Sequence, residues 1–193
     1  MNQKLHERLL WISETAIFLA LLVALQYVLG FIGGAPLVGQ IITGSIVNLL
    51  LILSTMVVGL TSGITIAIIS PVMAYVLTGK PPFPVFIPFV AIGNVVLVLI
   101  TGYFFRKYLE KNQKQDIALK SGVLVLGAFA KFATLYLLIV VLAMNYLVPD
   151  IKEAQKNALT LMFSWPQLLT ATIGGILALS LTKPISKVVA KIK

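Results

Sequence analysis

Lys131 sits in the stretch Gly127-Ala-Phe-Ala-Lys-Phe-Ala133, inside an apolar run that begins at Ser121. On a helix it lies ~15 Å from the start of that run, at 1.5 Å per residue, which is near the middle of a bilayer. An ammonium at that depth can hardly snorkel to water, and it is costly unless something satisfies it. Two arrangements meet the need: protein acceptors gathered around it, or an anionic ligand group reaching it from a cavity open to one side. No Asp or Glu lies deep in any apolar run, Glu14 being near the inner end of the first. A structural ion pair is therefore hard to build from this chain. A ligand-neutralising lysine is the leading expectation; a lysine satisfied by carbonyls and one that docks a partner subunit are the alternatives.

Other polar residues fall at compatible depths. Asn48 lies about two helical turns below the outer end of its run, Asn94 two to three turns below, and Trp165 with Gln167 about two. Tyr75, Tyr136, and Gln40 with Thr43 from the first outer loop are candidates for the same lining. Amides donate and accept, and an indole adds an apolar wall with one N–H, so the set suits a small polar ligand. The competing reading makes Asn48 and Asn94 helix-to-helix contacts and puts Trp165 in an interfacial aromatic belt. The shared depth favours the pocket. Pro166 adds to it, because a proline inside a span frees the carbonyl of Met162.

The elements that must carry these groups are membrane helices. Of 193 residues, 59% are hydrophobic and 11% charged, against ~25% charged in soluble domains. The apolar residues come in blocks near the ~20 needed to cross a bilayer. Six spans are expected: Leu10 to Ile32, Ile42 to Gly59, Ser62 to Leu77, Val85 to Phe105, Ser121 to Leu147, and Ala158 to Leu181. The second and third are separated only by Gly59-Leu-Thr-Ser-Gly63, whose paired glycines suit a tight reversal. The expected fold class is an all-α integral membrane protein of six transmembrane helices, a single domain over residues 1–193.

Positive charge orients it. Eleven Lys and Arg residues, from Lys4 and Arg8 through Arg106 and Lys120 to Lys193, fall on one side of a six-span arrangement, and Lys80, Lys152 and Lys156 on the other. Both termini are thus expected in the cytoplasm. The first run is long enough to span and ends at no small-residue cleavage site, so it reads as helix one rather than a signal peptide. The outer stretches Gly33-Gly-Ala-Pro-Leu-Val-Gly39 and Thr78-Gly-Lys-Pro-Pro-Phe-Pro84 are rich in Gly and Pro and read as lids.

Several function classes drop out. The formal charge of +9 sits between apolar runs and forms no soluble basic face, so nucleic acid is not expected as a partner. There is no cysteine, and the one histidine, His6, lies in the N-terminal segment, which leaves no thiolate or zinc site. No Walker motif and no set of membrane-embedded acids occurs. Neither an enzyme nor a cofactor is expected. Gly174-Gly175 and Ala171 to Ala178 read as helix-packing faces.

Ala16, Ala20 and Ala24 recur every fourth residue in the first span, a stripe on which another helix can approach closely. With that stripe, six spans, this length, the Gly- and Pro-rich loop before Gln40-Ile-Ile-Thr-Gly-Ser-Ile-Val-Asn48 and the Gly-Ala-Phe-Ala-Lys-Phe stretch, the chain resembles the substrate-binding S components of energy-coupling factor (ECF) vitamin transporters. The resemblance covers nearly the whole chain. It implies a multi-pass protein of the bacterial cytoplasmic membrane that captures a water-soluble vitamin with high affinity. It also implies docking of Ala16, Ala20 and Ala24 on a transmembrane coupling subunit driven by two ATPase subunits. A central cation with several amides fits pantothenate within that family; cobalamin, riboflavin, pyridoxine, folate and a pyrimidine precursor stay open, and biotin and niacin also carry carboxylates. A stand-alone secondary carrier and an assembly subunit that binds no solute are the readings from other classes.

Overall fold

The computed structural model describes residues 3–32, 36–108 and 116–192. In hydrocarbon every backbone N–H and C=O must find its partner within the segment, so long apolar runs have only the helix available. The elements are α1 (Gln3–Ile32), α2 (Pro36–Val57), α3 (Leu60–Thr78), a 3-10 turn (Pro84–Phe86), α4 (Ile87–Tyr108) and α5 (Asp116–Leu135). The fifth helix continues through π-helical turns (Tyr136–Ala143) into a last turn, α6 (Met144–Tyr146); α7 (Glu153–Met162) and α8 (Trp165–Ile192) follow. Six stretches are long and apolar enough to cross a membrane, from Gln3–Gly30 to Glu153–Val189. The protein is an all-helical, multi-pass membrane protein.

Two boundaries differ from the sequence reading. Helix α2 starts at Pro36 rather than Ile42, because proline is tolerated in a first turn, where the N–H has no intrahelical partner. Gln40 and Thr43 are therefore helical residues and not part of a loop; residues 33–35 of the first lid stretch lie outside the described residues. The sixth span is broken at Phe163 and Ser164, between α7 and α8. Pro166 thus occupies the second position of α8, not a helix interior. Ser164 supports the new start, its backbone carbonyl accepting from the Gln167 N–H at 3.0 Å.

The α2–α3 reversal is as tight as its glycines allow. Gly59 sits at φ 137° with nothing within 4 Å of where a Cβ would stand, a backbone state that L side chains rarely adopt. The second lid stretch turns at Gly79, which holds a left-handed conformation and donates its N–H to the Tyr75 carbonyl at 2.8 Å.

Helix association in lipid relies on close packing more than on hydrophobic burial. The α2–α8 seam shows this best. A Cβ on Gly174 would meet the Ser45 carbonyl oxygen at 2.6 Å and the Leu49 nitrogen at 2.7 Å, so the two backbones touch. Because backbone cannot swing aside, Gly174→Ala should destabilise the protein by about 1–3 kcal/mol, read as a lowered melting temperature in detergent. Below this level Ile52, Leu53, Leu97, Leu124 and Ala178 form one apolar cluster, and Leu22, Leu50, Leu51, Ile66 and Val98 another.

Candidate functional site

Directly above those clusters lies the buried polar centre of the bundle. Lys131, on α5 and only 4% exposed, donates to Asn48 Oδ1 on α2 and to Asn94 Oδ1 on α4, each at 2.6 Å. An ammonium only donates, so it fixes both amides with their oxygens inward and their N–H groups outward. Each outward N–H finds a hydroxyl. Asn48 Nδ2 donates to Thr170 Oγ1 at 3.3 Å and Asn94 Nδ2 to Ser70 Oγ at 3.2 Å. The hydroxyls pass the chain on to backbone, Thr170 to the Gln167 carbonyl at 3.1 Å and Ser70 to the Ala67 carbonyl at 3.5 Å. The Ala67 carbonyl lacks its usual helical donor because residue 71 is proline.

This network neutralises no charge. Both acceptors on Lys131 are neutral amides, and no Asp or Glu is among the described residues that line the cavity around it. Two of the three ammonium donors are used by the amides. Lys131 also lines a cavity of about 160 Å³, together with Gln26, Asn48, Ser70, Asn94 and Gln167. A second chamber of about 230 Å³ adjoins it through Gln26, Thr43, Gly44, Pro71 and Gln167, and is walled by Leu29, Val90, Met162 and Phe163. Lys80 and Pro81 of the second lid stretch also line it. The site is therefore an apolar-walled shaft with a cation at its floor, the usual form of a small-molecule pocket: mostly apolar, with few placed polar groups.

The break between α7 and α8 contributes a backbone group. The Met162 carbonyl, left without a helical donor because α7 ends there, accepts from Gln40 Nε2 at 2.6 Å and from Gln167 Nε2 at 3.0 Å. Thus two amides expected to meet a ligand each commit an N–H to the protein while still lining the outer chamber.

The structure gathers Lys131, Asn48, Asn94, Gln167, Gln40 and Thr43 around the two chambers. It leaves Trp165, Tyr75 and Tyr136 outside their linings. At ~100° per residue, Trp165 points some 200° away from Gln167, and it is 48% exposed. Tyr136 leans on Phe132, with ring centroids 6.0 Å apart, and its side is exposed. On α3 the lining stripe is Pro71, Ala74 and Thr78, and Tyr75 lies one residue off it. Gln26, Ser70 and Thr170 belong to the site and were not singled out from the sequence. Gln26 is a buried amide inside the first span, a signal overshadowed there by the alanine stripe.

Ala16, Ala20 and Ala24 are all exposed on α1, beside Ile17, Leu21 and Val28, so nothing in the described bundle covers the stripe. The family model described as ECF transporter, substrate-specific component, matches residues 14–186. The chain belongs to that family. No curated protein and no solved structure matches it to a significant degree. As a substrate-specific component it is a transporter's binding subunit rather than an enzyme, taking up a small-molecule substrate and docking on an ECF module.

Proposed function

We propose that this substrate-specific component captures a small carboxylated vitamin, with pantothenate the best chemical match, and surrenders it across the bacterial cytoplasmic membrane when docked on its module. The observation that carries this reading is Lys131: a buried cation at the foot of a cavity, held by two neutral amides and with no carboxylate among the described residues that line that cavity. A carboxylate entering the shaft would supply the missing charge through a charge-assisted hydrogen bond, roughly twice as strong as a neutral one. Asn48 and Asn94 position the ammonium, Gln40, Thr43 and Gln167 line the path, and Leu29, Val90 and Phe163 offer an apolar wall to a branched aliphatic body such as pantothenate has. Ala16, Ala20 and Ala24 form the docking face for the transmembrane coupling subunit, which two ATPase subunits energise. The lysine-rich side, with both termini, lies in the cytoplasm.

The test is gentle extraction followed by mass spectrometry of the retained small molecule, with titration of labelled vitamins into the emptied protein. Retention of a neutral vitamin and indifference to every carboxylated one would overturn the reading. A charge substitution gives a second check. Asn94→Asp places a counter-ion at 2.6 Å from the ammonium, so the protein supplies the anion itself. The variant should fold and bind pantothenate at least tenfold more weakly by titration.

A further inference from the structure

Three buried side-chain polar atoms lack partners among the described residues: Trp11 Nε1, Gln26 Oε1 and Ser45 Oγ. Of the three residues only Gln26 lines the chambers, and it lines both. Gln26 is 4% exposed and lies ~200° around α1 from Ala24, on the face turned away from the docking stripe. Its Nε2 donates to the Ser70 carbonyl at 3.4 Å. That bond fixes the amide, since turning it over would set two oxygens against each other. The orientation leaves Oε1 as a buried acceptor with no donor, a state native structures rarely keep without a reason.

We propose that Gln26 is a specificity-determining residue, its Oε1 accepting an N–H or O–H from the body of the bound ligand. The ligand class is then narrower than a carboxylate: an anion that also carries a hydrogen-bond donor. An anion of similar size without a donor satisfies Lys131 but leaves Gln26 unpaired, and binds more weakly for that reason. This inference rests on the reading of the cavity as the ligand site with the anionic group on Lys131.

The test is a cycle between protein and ligand, with affinities from isothermal titration in detergent. Pantothenate and biotin are the probes, each beside analogues lacking one donor, and nicotinate is the donor-free control. The proteins are wild type, Gln26→Leu and Gln26→Met; the second variant keeps the side-chain length should the first fail to fold. The expected result is a loss of about tenfold for the bound probe in either variant. One analogue should show that same loss on wild type and no further loss on the variants. Equal weakening of the probe and of all its analogues means that Gln26 only shapes the wall, and overturns the inference while leaving the carboxylate reading intact. Nicotinate bound as tightly as the probes, and unaffected by Gln26→Leu, overturns it too. If wild type binds neither these three nor folate, the reading beneath falls and takes the inference with it.

Discussion

Lys131→Met should leave a folded protein whose affinity for a carboxylated vitamin is lower by roughly a hundredfold, the range expected for losing hydrogen bonds to a charged group in a buried site. The variant should survive because it removes an uncompensated charge from mid-membrane and replaces it with a flexible apolar chain. Asn48 and Asn94 lose their donor, but each keeps its hydroxyl partner, Thr170 or Ser70. Titration of labelled pantothenate into wild type and variant, with melting curves of both in the absence of ligand, separates the two effects. Ligand-induced stabilisation should vanish along with binding. A variant that binds the anion as tightly as wild type would show that the ammonium and the ligand do not meet.

The opposite dissociation, binding kept and transport lost, is expected from Ala20→Trp. Ala20 is exposed and flanked a turn away by Ala16 and Ala24, and the first span is the least buried of the six, at 17% against 28–39% for the others. An indole there projects away from the bundle and would hold a partner helix off by several ångströms, where methyl-on-methyl contact lets backbones meet. Reconstitution with an ECF module should give uptake reduced to background, while vitamin affinity of the isolated protein changes by less than twofold. Normal uptake would show that the module docks elsewhere.

The six spans were legible because their signal is cumulative: a run of twenty apolar residues is hard to mistake, and positive charges between runs reinforce the count. What escaped were interruptions within the runs. The π-helical turns at Tyr136–Ala143 lie in apolar sequence with no period of their own to mark them, and the break at Phe163 and Ser164 is marked only by Ser164 and Pro166, which also fit a kink inside one continuous span. In the site, Lys131, Asn48 and Asn94 stood out because a long polar side chain in hydrocarbon demands a partner. Ser70 and Thr170 did not, since a helix can satisfy a hydroxyl with its own i−3 or i−4 carbonyl, as it does for Thr55 and Thr101. Depth alone placed Trp165, Tyr75 and Tyr136 beside the others; the angle around the helix, which depth does not contain, set them apart.

Pro71 has a role that no inventory of side chains would reveal. It deletes one N–H and so leaves one peptide oxygen, at Ala67, to be answered by Ser70. An imino acid here acts as a tool for siting a negative pole: it puts a fixed main-chain dipole where hydrocarbon would forbid a carboxylate. Pro71→Ala would restore a donor for that oxygen and free the Ser70 hydroxyl to turn elsewhere, retuning the field around the lysine from outside the ring of groups that touch it.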